Sequence, residues 1–177
     1  MELFRGYVYA PNIKTRLHAF LKNFLGNKKP VLLCLGTDKI LADCLAPLTA
    51  DLLRNQNFPC YIYGGLKSPI TKQNAEYASE FINTIHKNSP IIVLDSMTTF
   101  SQSRLGHIIA TDNYTGTFHK LKINADLYLY GITSLLKNNL LANARLQNIQ
   151  AMAEVFSFVL TSLFTEKNTL HKFKTCA

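Results

Sequence analysis

The stretch that decides the fold is Pro30-Val-Leu-Leu-Cys-Leu-Gly-Thr-Asp-Lys-Ile-Leu-Ala-Asp-Cys-Leu-Ala-Pro47. Its first part, Val31 to Leu35, is short, apolar and closed by Gly36, which is typical of a strand buried on both faces of a parallel sheet. Asp43 then precedes a helical pattern. Because open α/β sheets bind their ligands at the carboxyl ends of such strands, this stretch predicts a site where the first strand ends.

An apolar run that ends in an acid returns at Ile91-Ile-Val-Leu-Asp95. Further strand-like runs lie at 58–63, 106–110 and 127–130, and helical patterns at 12–25, 44–57, 71–86 and 142–164. Residues 96–105 indicate a loop, and residues 1–10 show no clear period. In the helix over 71–86, the residues expected to face the core are Ala75, Ala78, Phe81, Ile82 and Ile85. The alternation predicts a three-layer α/β/α sandwich around a mixed, mainly parallel sheet, with antiparallel strands added after residue 105.

The length and composition of the chain limit the number of domains. A chain of 177 residues, 47% of them apolar, fits a single domain over 1–177. We divide it into a helical amino-terminal segment (1–29), an α/β core (30–165) and a basic tail (166–177).

The net charge of +8 favours an acidic partner, but the lysines are scattered, so nucleic acid is not the favoured partner. The sequence lacks a signal-peptide core and an apolar run of membrane-spanning length, which predicts a cytoplasmic protein without a membrane partner.

Asp43 and Asp95 follow two different predicted strands, and they can meet in one crevice if those strands are neighbours. Two close carboxylates share a proton, so that one serves as general base towards water and the other as general acid. A divalent cation bridging both acids is the alternative arrangement. Each acid also has a structural explanation: Asp43 as a helix cap, and Asp95 as a turn residue bonded by nearby amides.

The order of motifs along the chain resembles the YyaC spore protease family. The resemblance covers about residues 30 to 160. It is carried by Cys34–Asp38 with Asp43, Leu45 and Pro47; Tyr63–Pro69 with Asn74; Ile91–Asp95; Gly106; Asp126 with Gly131; and Asn143–Leu146 with Met152 and Ala153.

This resemblance implies a phosphorylase/hydrolase-like fold, related to the germination protease and to the hydrogenase maturation endopeptidases. It implies an atypical aspartic peptidase with Asp43 and Asp95 as catalytic residues, acting on a protein or peptide in the spore or forespore. No cofactor is required by this reading. In the hydrogenase peptidases, however, the corresponding acids contact nickel, so a divalent metal ion on Asp43 and Asp95 stays an alternative.

Asp38 and Asp126 are the predicted substrate-binding acids. Asp38 can be a third acid in the crevice or a turn residue bonded to its own backbone, and Asp126 can reach the rim or simply start a strand. His119 is a candidate for the metal-contacting histidine or an exposed loop residue. The chain departs from the family pattern at Ala46, which replaces a glycine, and in the segment 111–120.

These observations predict an endopeptidase that hydrolyses a small protein during sporulation or germination. The alternative is a noncatalytic binding protein of the developing spore that keeps the peptidase fold. A metal-dependent hydrolase is the third reading. The sequence gives no prediction of oligomeric state.

Overall fold

A computed structural model describes residues 1–115, 122–137 and 140–172. In these ranges the strands are β1 (Glu2–Tyr7), β2 (Val31–Cys34), β3 (Ile62–Tyr63), β4 (Ile91–Thr99), β5 (His107–Thr111), β6 (Leu127–Lys137) and β7 (Leu140–Ala142). The α-helices are α1 (Ile13–Leu25), α2 (Leu45–Asn55), α3 (Ala75–Ile85) and α4 (Leu146–Lys172). Short 3-10 turns lie at Leu41–Asp43 and Gln102–Arg104.

All seven strands belong to one sheet with the order β1-β5-β6-β4-β2-β3, and β7 pairs with β6. The strands β3, β2, β4 and β6 are paired in parallel, whereas β5 is antiparallel to both β6 and β1. The predicted mixed, mainly parallel sheet with antiparallel additions is confirmed. The strand before Asp43 and the strand that contains Asp95 are neighbours, since Leu33 of β2 lies opposite Val93 of β4. This meets the condition under which the two acids can share one crevice.

Helices cover both faces of the sheet. On one face, α1, α2 and α4 pack with Leu32, Ile92 and Leu94. On the other face, α3 and the loops pack with Val31, Leu33 and Val93. Because successive strand side chains enter different apolar layers, β2 and β4 are continuously apolar without alternation. The three-layer α/β/α sandwich is therefore confirmed.

The predicted secondary structure is wrong in three places. Part of the amino-terminal segment that we expected to be helical is strand β1, whose residues are ordered through distant pairing with β5. The predicted loop over 96–105 begins as strand, because β4 runs alongside β6 as far as Thr99, past a bulge after Met97. The predicted basic tail begins as helix, since α4 extends to Lys172.

Helix α3 faces the sheet with smaller residues than we predicted. Its buried residues are Ala75, Ser79 and Ile82, whereas Phe81 and Ile85 are 41% and 56% exposed. Apolar residues occupy more of this helix than one face can bury, and the small side chains give the closer packing against the sheet. The prediction that Phe81 and Ile85 face the core is therefore wrong.

Within the described residues, no helix combines the length and the apolar character needed to cross a membrane.

Candidate active site

The loop that carries Asp43 folds back on the end of β2. Gly36 has a φ of +126°, and a Cβ at this position would clash with the backbone carbonyl of Asp43. The same carbonyl accepts a hydrogen bond from the Thr37 amide (3.2 Å), and the Asp43 amide donates to the carbonyl of Ile40 (2.8 Å). A glycine is needed at position 36 because a side chain would push this loop, and with it Asp43, away from the strand.

Two contacts hold the same loop on β6. The Thr133 hydroxyl donates to the carbonyl of Ala42 (2.7 Å). Two residues beyond Asp43, Leu45 packs so closely over Gly131 that a Cβ there would overlap it. Since Gly131 lies opposite Ser96 of β4, the loop is placed level with Asp95 along the strands, on the face of the sheet that α2 and α4 cover.

Asp95 is almost completely buried within β4, with 1% of its surface exposed. Its Oδ1 accepts a hydrogen bond from the Ser96 amide (2.7 Å), and its Oδ2 accepts one from the Tyr114 hydroxyl (2.8 Å). The Tyr114 ring lies against Tyr130, with 6.2 Å between ring centroids. The Tyr130 hydroxyl in turn accepts a hydrogen bond from the Thr115 amide (2.8 Å), which fixes the segment that carries Tyr114.

Both carboxyl groups have raised pKa values. Burial raises the pKa of Asp95 to about 8; the Tyr114 hydrogen bond lowers it, the nearby charge of Asp43 raises it, and the Ser96 amide lowers it. Burial likewise raises the pKa of Asp43 to about 6, against a lowering effect of the Thr37 amide. The two groups interact, so their titration steps belong to the pair. Since the pKa of Asp95 is raised more than that of Asp43, Asp95 is the acid of the pair that keeps its proton to the higher pH.

Asp43 is not at the helix-cap position, and Asp95 is not at the turn position, that the sequence also allowed for them. Helix α2 begins after Cys44, and no side chain in the described part of the chain caps its first turn, so Asp43 is not a helix cap. Asp95 lies inside a strand and not in a turn, and a tyrosine hydroxyl supplies one of its two hydrogen bonds.

The two predicted substrate-binding acids lie at different ends of the sheet. Asp38 is exposed on the Asp43 loop; burial raises the pKa of Cys44, and the charges of Asp43 and Asp38 add to this effect. Asp126 instead accepts a hydrogen bond from the Ile91 amide (2.7 Å), at the start of β4. Ile91 precedes Asp95 by four residues, about 13 Å along a strand. The prediction that Asp126 shares this substrate site is wrong. Asp126 comes just before β6, which is parallel to β4, so it lies at the opposite end of the strands from Asp43.

The residues that the structure describes do not by themselves complete a metal-binding site. No group of three or more His, Cys, Asp or Glu side chains that could hold a metal ion occurs within residues 1–115, 122–137 and 140–172. His119 lies outside the described residues. A hard divalent cation takes about six oxygen ligands, so the carboxylates of Asp43 and Asp95 alone would leave most of its coordination positions to other groups.

Sequence reasoning missed Tyr114. It lies in the segment with no clear pattern, and its role depends on contacts with β4 and β6 that its neighbours in sequence do not reveal. The one available signal was the alternation of Tyr128 and Tyr130 in the predicted strand, which places two tyrosines on the same sheet face.

Comparison with known proteins identifies the family. Residues 5–158 match the family described as "Protein of unknown function (DUF1256)". The chain belongs to the DUF1256 family. It is 26% identical over 162 residues to "Uncharacterized protein YyaC" of Bacillus subtilis (strain 168), covering 84% of this chain and 75% of that protein. The resemblance to the YyaC family is thereby confirmed.

Among solved structures, a NiFe hydrogenase maturation protease, HycI from Thermococcus kodakarensis KOD1, has a TM-score of 0.48 and 12% identity to this DUF1256 protein. The match covers 79% of this chain and 97% of the HycI chain.

Proposed function

We propose that this DUF1256 protein is an endopeptidase in which Asp43 and Asp95 activate a water molecule against a peptide carbonyl. The observation that carries the proposal is the placement of the two acids at neighbouring parallel strands, close enough that the charge of Asp43 contributes to raising the pKa of Asp95; the pKa values of Asp43 and Asp95 are raised to about 6 and about 8. Such a pair is ionised on one side and protonated on the other near neutral pH, which provides a general base and a general acid together.

The two acids lie in different environments, and from this difference we infer which is the general base and which is the general acid. Asp43 is the more accessible acid and is ionised, so it takes a proton from water as the water oxygen attacks the carbonyl carbon. Asp95 is protonated and supplies the proton that the leaving amine needs when the C–N bond breaks. The Tyr114 hydroxyl and the Ser96 amide then stabilise the Asp95 carboxylate that results. Proton transfer from Asp43 to Asp95 restores the starting state.

The resemblance to the spore protease family extends this proposal to the biological setting. The substrate is a small protein of the sporulating or germinating cell, cleaved in the cytoplasm of the spore or forespore.

The test is peptide cleavage by the purified full chain, compared with Asp43→Asn and Asp95→Asn. We expect both substitutions to abolish cleavage while the fold is kept, and Asp126→Asn to be the matched control with activity close to that of the unchanged protein. The rate should follow a bell-shaped pH profile with limbs near 6 and 8. Unchanged cleavage by a folded Asp43→Asn protein contradicts the mechanism, and loss of activity on chelation favours the metal-dependent hydrolase.

The burial of Asp95 favours a second candidate, the noncatalytic binding protein. Asp95 is 1% exposed and each of its oxygens already accepts a hydrogen bond, as in a purely structural acid. With a net charge of +8, such a protein would bind an acidic partner. Salt-sensitive binding without turnover, unaffected by Asp43→Asn, supports this candidate over the peptidase.

A further inference from the structure

A groove of about 520 Å³ opens where strand β1 ends and helix α4 begins. Two tyrosines, one arginine and several side-chain amides line it. A volume of this size is within the range of ligand-binding sites in proteins.

The walls of the groove are held by contacts within the protein. The rings of Tyr7 and Tyr9 meet edge to face, with 5.5 Å between centroids, and the Tyr9 hydroxyl donates to Oδ1 of Asn148 (2.9 Å). On the other side, Nδ2 of Asn143 donates to Oε1 of Gln102 (3.2 Å). Both tyrosines are nevertheless 44% exposed, so part of each ring is open to a ligand. The groove is therefore preformed, which reduces the entropic cost of binding.

The chemistry of the lining favours a peptide that carries a carboxylate. Arg145 is the charged residue of the lining, and no carboxylate accompanies it. Within the described ranges, no hydrogen bond or ion pair engages the Arg145 guanidinium, so its planar fork is open to bidentate binding of a carboxylate. Side-chain amides both donate and accept hydrogen bonds, as peptide groups do, and the tyrosine rings offer packing surface for side chains.

The groove lies at the same end of the sheet as the Asp43 loop and on the same face, which α2 and α4 cover, whereas the side chain of Asp95 lies on the other face with Val93. Leu45 and Met152 both pack over Gly131 of β6. Asp43 lies just before Leu45, and Arg145 precedes Met152 by seven residues, about 10 Å along a helix. An extended polypeptide rises about 3.3 Å per residue, so a segment bound in the groove can continue along this face towards the Asp43 loop.

We propose that this groove binds an extended segment of the substrate polypeptide, with Arg145 pairing a carboxylate side chain of that segment. The assignment rests on the proposed function, because it gives the groove and the acid pair the same substrate. It makes Arg145 a specificity-determining residue at a distance from the cleaved bond.

The test is a binding selection from a random peptide library. The full-length Asp43→Asn variant is used to capture the peptides, so that bound peptides are not cleaved. We expect Asp or Glu to be enriched at one position by about tenfold, and the enrichment to disappear in the additional variant Arg145→Gln. Arg145→Lys should keep part of the enrichment, because it retains the charge without the fork. Lys87→Gln removes the same charge from an exposed site beside Asp126, at the opposite end of the strands from Asp43, and should leave the enrichment intact.

Two outcomes overturn the proposal: no enrichment of acidic residues, or an enrichment that persists in Arg145→Gln. Enrichment that inorganic phosphate abolishes at low concentration also overturns it, because that result indicates a small-anion site. Failure of the proposed function gives a different result, in which acidic peptides are selected through Arg145 but no peptide is cleaved in the Asp43-containing protein. If Arg145→Gln leaves the cleavage rate unchanged and no acidic residue is enriched among the selected peptides, the groove assignment is refuted while the proposed function stands.

Discussion

At the scale of single residues, the Tyr114 hydroxyl lowers the pKa of Asp95 against the larger effect of burial. This hydroxyl donates to Oδ2 of Asp95, and this bond lowers the pKa of a carboxyl that burial raises to about 8. Tyr114→Phe removes the donor, so the pKa of Asp95 should rise further and the alkaline limb of the pH–rate profile should move upward with it. Carbon NMR of the labelled carboxyl group measures the same shift independently of catalysis.

Tyr128→Phe is the matched control for that experiment. The Tyr128 ring also contacts Tyr114, but its hydroxyl donates to the carbonyl of Ile123 and not to Asp95. A pKa of Asp95 that stays the same in Tyr114→Phe, or shifts equally in both variants, contradicts the assigned hydrogen bond.

Burial of Asp95 also makes folding depend on pH. The pKa of this carboxyl rises from 3.8 to about 8 on folding, so the native state holds a proton that the unfolded chain releases between these values. Stability should therefore be greatest below the lower pKa and fall as pH rises through the upper one. Asp95→Asn removes this titration and fits the site, because its amide can donate to the Tyr114 oxygen while its carbonyl accepts from Ser96.

Urea unfolding measures the effect. Near pH 9 we expect Asp95→Asn to be more stable than the unchanged protein by about 2 to 5 kcal/mol, and near pH 4 this advantage should be small. An advantage of the same size at both pH values would show that ionisation of Asp95 is not its cause.

Helix α3 offers a direct test at the scale of single elements. Ile82 is fully buried between the helix and the sheet, whereas Ile85, one turn further along, is 56% exposed. Ile82→Ala should lower the free energy of unfolding by about 2 to 4 kcal/mol because it leaves a cavity. Ile85→Ala removes the same atoms from the surface and should cost less than about 1 kcal/mol. Equal costs, measured by denaturant unfolding, would contradict the orientation of α3.

This helix also shows how far the elements could be predicted. Strands β2 and β4 were predictable because a continuous apolar run with a clear end is a local property. The orientation of α3 was not, since a helix with apolar residues on two faces does not reveal which face meets the sheet. Strand β1 and the second half of β4 depend on pairing with distant residues, through Tyr7 opposite His107 and Thr99 opposite Leu135.

The candidate site followed from topology at the scale of the whole molecule. Asp43 follows β2 and Asp95 lies within the neighbouring parallel strand β4, and the charge of Asp43 raises the pKa of Asp95, so the predicted pairing of the two acids stays a proposal that the topology supports. The same reasoning failed for Asp126. This residue precedes its strand, so it lies at the amino-terminal end of the parallel strands and not at the carboxyl-terminal end. Tyr114 was unpredictable because it reaches Asp95 from a separate segment, and burial of Asp95 became evident only with the layers assembled around it.

One continuous sheet joins the two ends of the fold, with β1 at one edge and β3 at the other. Helices α1, α2 and α4 share a single apolar layer beneath it, so we expect both edges to unfold in one cooperative transition. The chain contains no tryptophan, and single probes can therefore be introduced at exposed positions near each edge, as Leu3→Trp or Tyr61→Trp. Fluorescence of the two variants and far-ultraviolet circular dichroism should give coincident urea midpoints after correction for the stability of each variant. Earlier loss of the Leu3→Trp signal within one variant would instead show that β1 detaches before the core unfolds.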